Sequence, residues 1–351
     1  MSDFSAIDSN FKVETSIKQE DLRFHNALQA PFEIYGVFYE EGKFRRMPES
    51  VAEVVSAGVL SLHTRTAGGR IRFQTDSPYV AIHAKMSEIS RMSHCPLTGT
   101  AGFDMYAAWE GQPERYMGTF VPPKDMVDGY ESILRFDSAK MREITVNMPL
   151  YSGVDMVYVG LQEGATILPP KPYKHQKPIV YYGSSITQGG CASRAGNAYE
   201  GIISRRLSAD YVNLGFSGRA LGERVMAEHI ASLDMSVFVM DYDHNAPTPE
   251  HLQKTHERMF QTVRSAHPDI PIVMMSRPKV YLTEGEVKRR EVIRTTYQNA
   301  KDRGDENVYF LSGAELMADA GNEGTVDGVH PTDYGFASMA RVLGDLLEKL
   351  L

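Results

Sequence analysis

A short apolar run, 179–182, ends in Gly183-Ser184-Ser185. A strand that stops at Gly183 and turns into a helix places Ser185 at the carboxyl edge of a sheet, beside backbone amides that favour developing negative charge. A serine there can act as a nucleophile, although the same residues also suit a Ser-rich turn that caps a helix. Far downstream, Asp327-Gly-Val-His-Pro-Thr332 puts a carboxylate and an imidazole three residues apart. In a tight turn the acid of Asp327 can orient the His330 ring and stabilise its cationic form, and an ordinary surface turn would look the same. Taken together, Ser185, His330 and Asp327 supply the nucleophile, base and orienting acid that acyl transfer needs. Asn213-Leu-Gly-Phe-Ser-Gly218 and Asp241-Tyr-Asp-His-Asn245 each follow an apolar run. The Gly218 amide and the Asn245 side chain are candidate donors to an oxyanion. Read alone, Gly218 also fits a helix-entry turn, and Asn245 an Asx-turn before Pro247.

Positioning these groups requires a parallel sheet. Apolar runs at 211–214, 237–240, 270–275 and 308–311 follow the first, separated by stretches long enough for helices. That alternation implies crossover connections and a sheet covered on both faces, an α/β domain over 179–351. Phe336, Met339, Ala340, Leu343, Leu346, Leu347 and Leu350 share one stripe at helical spacing and mark a terminal helix that covers the sheet. Residues 58–161 have a different grain. The runs GVLSLHT, RIRFQT, YVAIHAKM, FDMYAAW, RYMGTFV, ESILRF, EITVNM and DMVYVGL alternate apolar and polar residues between turn signals. Seven or eight such strands predict a β-sandwich over 1–166. Within its first 55 residues, 32–38 reads as a strand and 49–56 as a helical turn. The proline-rich stretch at 167–178 reads as a semi-rigid linker, short enough to bring the polar loop 86–102 to the mouth of the cleft.

The order and approximate spacing of Ser185, Gly218, Asn245 and His330 resemble the SGNH (GDSL-like) hydrolase superfamily, over essentially all of 178–351. That likeness implies a three-layer α/β/α domain of flavodoxin-like order. It also implies Ser185 as nucleophile, His330 as base, Asp327 as its acid, and an oxyanion hole of the Ser185 amide, the Gly218 amide and the Asn245 side chain. The usual Gly-Asp-Ser is Gly183-Ser184-Ser185 here, and the usual Gly-x-Asn-Asp is Asp243-His244-Asn245-Ala246. These departures resemble a branch whose N-terminal, jelly-roll-like sandwich carries Gly-x-Asp-Leu-Tyr, matched by Gly102-Phe-Asp-Met-Tyr106. Asp104 and Tyr106 are expected to be structural. The implied substrate is a small-molecule or carbohydrate ester with a small acyl group such as acetyl, and no cofactor or metal is implied. Transfer of the acyl group to a sugar or alcohol would use the same residues.

Two other classes compete. Asp241, Asp243 and His244, with Asp327 and His330 opposite, are metal-ligand types, but that reading leaves Ser185, Gly218 and Asn245 idle. Trp109, the only tryptophan, with Tyr106 and Tyr116, has the makings of a sugar-stacking face. The charge balance, 37 basic against 45 acidic residues for a net −8, argues against a nucleic-acid partner. Two cysteines, Cys95 and Cys191, cannot build a disulfide framework and read as small buried thiols. The opening MSDFSAIDSNFKVE lacks the marks of a secretory signal, and no apolar run approaches the ~18 residues of a membrane span, so a cytoplasmic chain with no membrane partner is expected. Whether copies associate as a homo-oligomer is left open.

Overall fold

Alternating apolar residues build two facing antiparallel sheets in the computed structural model, which describes residues 15–351. The segment read above for a secretory signal, 1–14, lies outside the described residues. The strands of this half are β1 (Leu22–Asn26), β2 (Glu33–Tyr35), β3 (Phe38–Glu40), β4 (Lys43–Arg45), β5 (Arg70–Thr75), β6 (Tyr79–Lys85), β7 (Phe103–Ala108), β8 (Arg115–Phe120), β9 (Gly129–Arg135), β10 (Arg142–Asn147), β11 (Met156–Gln162) and β12 (Ile167–Leu168), of which β3 and β4 form a hairpin outside the two sandwich sheets. One sheet runs β1-β11-β6-β9 and the other β12-β5-β10-β7-β8, with β2 also on β5. Ile71, Phe73, Ile82, Met105, Ile144, Val146 and Val159 from both sheets close the core between them.

The sheet of the other half, made of β13 (His175–Gly183), β14 (Ala209–Gly215), β15 (Val237–Asp241), β16 (Ile272–Met275) and β17 (Val308–Leu311), is parallel in the order β14-β13-β15-β16-β17. That is the flavodoxin-like order, in which the chain reverses direction across the sheet at β13. Five further helices, α4 (Tyr199–Leu207), α5 (Arg224–Ala231), α6 (Pro249–Ala266), α7 (Glu284–Asp302) and α9 (Asp333–Leu350), complete the layers, after the short α1 (Glu49–Val55), α2 (Ala57–Leu62) and α3 (Leu97–Thr100) and with a short α8 (Gly313–Leu316). Because neighbouring strand residues point to opposite faces, Ile179, Tyr181 and Val239 pack with Ile203 of α4 and Phe336 and Leu343 of α9. Val180, Tyr182 and Met240 pack with Met226 of α5, Met259 of α6 and Ile293 of α7. Both faces are therefore dry, as a parallel sheet requires. Among the described residues, no helix is long and apolar enough to cross a membrane.

Two expectations need correction. GVLSLHT, expected as a strand, forms α2 instead: the Ser56 side chain accepts from the Val59 amide at 3.2 Å and caps the turn. The buried Met47, Ala52 and Val59 of this segment belong to the core of the α/β domain, on the α5 side. The stretch 167–178 is also more ordered than a linker, since β12 pairs with β5 at its start and β13 begins at His175. The chain between the two sheets is thus only 169–174.

The domains also share buried polar contacts. Arg46 donates to the carbonyls of Gly215 (2.5 Å) and Asn213 (3.3 Å). Arg70, 2 % exposed, pairs with Asp210 at 2.5 Å and lies 3.9 Å over the Tyr211 ring. On the polar side of β5, Arg70 and Arg72 are therefore buried like the apolar Ile71 and Phe73. Expressing 172–351 alone removes Met47 and Val59 from the α/β core, at roughly 1.5–3 kcal/mol each against a typical total of 5–15. The fragment is expected to aggregate or to lose its cooperative melting transition. A soluble fragment with native melting behaviour and unchanged ester turnover would show that the sandwich is dispensable.

Candidate active site

β13 is flanked by β14 and β15, with Gly183 opposite both Gly215 and Asp241. Ser185, Gly218 and Asn245 follow the carboxyl ends of these three adjacent strands, at the switch point where an open α/β sheet takes its ligands. One expectation fails locally, because no helix begins at Ser185. The chain instead makes tight turns, with the Gln188 amide on Ser184 O (3.0 Å) and the Gly190 amide on Ser185 O (2.7 Å). Left-handed Gly189 (φ +91°) stops the run, and the first regular helix on this segment, α4, starts at Tyr199. The Ser185 amide is left without an internal acceptor among the described residues.

The distant Asp327-x-x-His330 turn reaches this point. Ser185 Oγ lies 2.8 Å from His330 Nε2, and His330 Nδ1 lies 2.8 Å from Asp327 Oδ2. Asp327 Oδ1 accepts the backbone amides of Val329 (3.0 Å) and His330 (2.8 Å), so one carboxylate shapes the turn and orients the ring. Partial burial raises the Asp327 carboxyl, but the His330 amide and ring more than offset it and hold it at about 2. The acid is therefore ionised at any pH above that value. A proton on Nδ1 facing Asp327 leaves Nε2 to accept from the Ser185 hydroxyl.

Three donors face outward from the strand ends. Gly218 holds φ +68°, with open space where a side chain would stand, and its amide, like that of Ser185, has no internal acceptor among the described residues. Asn245 accepts the Ala220 amide on Oδ1 at 3.2 Å, a contact to the neighbouring strand's loop and not the local Asx-turn. Its Nδ2 is thereby the free end. Such a set of amide donors can stabilise negative charge on an oxygen that reacts beside Ser185.

Several supporting residues escaped the sequence reading. Gln188 donates to Leu150 O (3.1 Å) of the sandwich and accepts the Ser217 amide (2.9 Å), so it holds the residue before Gly218. Tyr151, also of the sandwich, donates to Ser185 O at 3.0 Å. Arg277, just past β16, grips Asp243 at 2.8 Å, while Arg289 of α7 donates to Ala246 O at 2.5 Å, and together they clamp the Asn245 loop. The polar loop 86–102 does reach the site: the His94 ring centroid is 5.4 Å from that of His330. Of these, Arg277 carried a sequence signal, polarity just past the apolar run 270–275.

The residues of the competing readings have other partners. Asp243 is taken by Arg277, and Asp241 accepts the Thr187 hydroxyl at 3.0 Å. Burial and the Arg277 charge push the His244 imidazole down to about 3, so it stays neutral. Among the described residues, ligand atoms of metal-binding type gather instead at His94, Cys95 and Cys191 and at His94, Asp327 and His330. Asp104 accepts from Asn147 (2.6 Å) and from the Gly196 amide ahead of α4 (2.7 Å), which makes it a joint between the domains. Tyr106 and Tyr116 are covered by Arg205 and Arg194, each 3.9 Å from its ring. Trp109 lines a cavity of about 580 Å³ between the domains, with Arg72, Arg142 and Glu143.

Asp241 carries a stability prediction. Burial raises its carboxyl to about 8, against the Thr187 hydrogen bond and with the help of Asp243. The unfolded chain releases this proton near pH 4 and the folded one near 8, so stability falls as pH rises between them. The melting temperature of the native protein should decline over that interval more steeply than that of Asp241→Asn. Parallel curves would contradict the assignment.

The comparisons agree with this architecture. Residues 176–348 match the GDSL-like Lipase/Acylhydrolase family, and 22–167 match the GxDLY domain, the N-terminus of SGNH hydrolase-type esterases. No curated protein sequence matches the chain. Among solved structures, a Bacteroides ovatus protein named as a GDSL-like lipase is 26% identical, with TM-score 0.84 over 94% of this chain and 98% of its own. A salicylyl-acyltransferase from a tetracycline biosynthetic pathway is 19% identical, with TM-score 0.75 over 94% of this chain and 98% of its own. An acetyl xylan esterase of the rumen bacterium Butyrivibrio proteoclasticus is 12% identical, with TM-score 0.59 over 93% of this chain and 98% of its own. With both of its halves matched, this chain belongs to the GDSL-like lipase/acylhydrolase family, in the SGNH-type branch that carries an N-terminal GxDLY domain, and is an ester-hydrolysing enzyme.

Proposed function

We propose that the enzyme cleaves O-acyl esters with small acyl groups, acetyl above all, through a covalent acyl-serine on Ser185. The observation that carries this reading is the unbroken hydrogen-bonded line from Ser185 through His330 to Asp327, at 2.8 Å for each link, beside amides with no internal acceptor. Ser185 Oγ attacks the ester carbonyl carbon while its proton passes to His330 Nε2. Asp327 stabilises the imidazolium, and the Ser185 amide, Gly218 amide and Asn245 Nδ2 receive the oxyanion. Collapse expels the alcohol, which takes the proton from His330, and water then attacks the acyl-serine by the same route.

The exposed rim of the site, where the Asp327 side chain is 38 % exposed and that of His330 20 %, suits a large alcohol part. The small acyl group is supported by the fold shared with an acetyl xylan esterase. A panel of nitrophenyl esters of increasing chain length, followed by acetylated sugars, tests this. Turnover should be greatest for acetyl and fall with chain length, and a preference for long chains would reject it. Adding a competing alcohol and analysing products tests transfer: free acetate as the main product supports hydrolysis, and an acylated alcohol as the main product would make the enzyme an acyltransferase.

A further inference from the structure

Cys95 and Cys191 stand 96 residues apart in the chain and on opposite sides of the domain boundary, yet their Sγ atoms are 3.3 Å apart. Cys95 lies in the sandwich loop between β6 and α3, and Cys191 in the turns that follow Ser185. Both are buried, at 8 % and 6 % exposure. Each is one residue away from a group beside the reacting centre. His94 packs against the His330 ring, and Gly190 donates to Ser185 O at 2.7 Å and backs His330 so closely that a Cβ there would lie 3.4 Å from its Cδ2. Cys191 holds φ +74°, a conformation that residues other than glycine rarely adopt. The two segments are also tied by the Thr98 hydroxyl, which donates to Ser193 O at 2.6 Å.

We propose that Cys95 and Cys191 form a redox clasp: a small-molecule disulfide oxidises the pair to an intramolecular disulfide, which pins the sandwich loop carrying His94 against His330. A disulfide needs its sulfurs at ~2.05 Å, so from their 3.3 Å separation the two sulfurs have little more than ~1 Å to close. The Cys95 thiolate attacks one sulfur of the oxidant RSSR and releases one RS⁻. Cys191 then loses its proton, attacks Cys95 Sγ and displaces the second RS⁻. Two protein thiols and RSSR thus become one protein disulfide and two RSH. The hydrogen bond from Cys191 favours the Cys95 thiolate, against the effect of burial, which makes Cys95 the attacking sulfur. With the clasp closed the loop cannot swing out, so esters with bulky alcohols lose access while small ones do not.

The kinetic part of this proposal rests on the esterase reading above, whereas the chemical part does not. The full-length protein, reduced and freed of reductant, is titrated with glutathione redox couples without oxygen. The intact mass should fall by two hydrogens, peptide mapping should join the Cys95 and Cys191 peptides, and dithiothreitol should reverse both. The melting temperature should rise, since the bond closes a long loop. Oxidation should lower kcat/KM several-fold for an acetylated oligosaccharide and leave nitrophenyl acetate unchanged. Cys95→Ser and Cys191→Ala should each abolish all of these responses. The proposal is overturned if both thiols stay free in oxidised glutathione, if the disulfide forms in an active esterase without any kinetic change, or if the pair with His94 instead retains one equivalent of zinc. A protein that is inactive on every ester, yet forms the bond and melts higher, would reject the esterase reading alone.

Discussion

Ser185→Ala is expected to lower ester turnover by on the order of 10⁶-fold, because a nucleophile, base and acid that act as a unit lose nearly everything when the nucleophile goes. The short contact from Ser185 Oγ to His330 Nε2 leaves no other hydroxyl in that position. Ser184, its neighbour, is fully buried, and its Oγ accepts the Ile186 amide at 3.2 Å. A fluorophosphonate should therefore add mass to the peptide at Ser185 and not at Ser184. His330→Ala should lose about as much as Ser185→Ala, since the serine is then unactivated. Asp327→Ala should cost less, about 10⁴-fold, because an imidazole without its acid still accepts a proton from a poorer orientation and tautomer. His244 does not substitute, because burial and the Arg277 charge push its imidazole down to about 3 and leave it too weak a base to take the serine proton. Steady-state kinetics on variants whose melting curves match the native protein decide the matter. Near-native turnover in His330→Ala would overturn the mechanism.

Asn245→Ala should lower kcat by roughly 100- to 1000-fold, about 2.7–4 kcal/mol, with little change in KM. An amide donor gains strength as the carbonyl oxygen acquires charge, and the ground-state carbonyl is a weaker acceptor. The geometry favours a free donor: Oδ1 is occupied by the Ala220 amide, and the backbone around it is fixed by Arg277 and Arg289 from outside the loop. Because those arginines hold Asp243 and Ala246 and not Asn245 itself, the loop should survive the substitution. A lowered melting temperature with near-native kcat would instead show that Asn245 serves only to shape the turn. Gly218→Ala would be a poorer test, since φ +68° strains any side chain there whatever the fate of its amide.

What was legible in the sequence is what depends on short stretches of chain. Strand period, turn residues and the apolar stripe of α9 are set by neighbours a few residues away, so the sandwich strands from β5 to β11, the parallel strands and the terminal helix follow from patterning. Ser185, Gly218 and Asn245 were equally visible, because each sits just past an apolar run, where an open sheet must end. GVLSLHT was misread because its alternation fits a strand, while the Ser56 cap and the contacts of Met47, Ala52 and Val59 with the α/β core made it helical. Likewise Arg46 and Arg70 look like the wet face of a half-buried strand region, and only the packing of one domain on the other turned them inward. The convergence of Ser185 and His330, 145 residues apart, to 2.8 Å is also a tertiary result. So are the hold of Gln188 on Ser217, the approach of His94 to His330 and the meeting of Cys95 with Cys191. Local sequence specifies each strand and turn, but which side chains meet across the domain boundary depends on how two finished surfaces bury each other's polar groups, and no short stretch of chain carries that information.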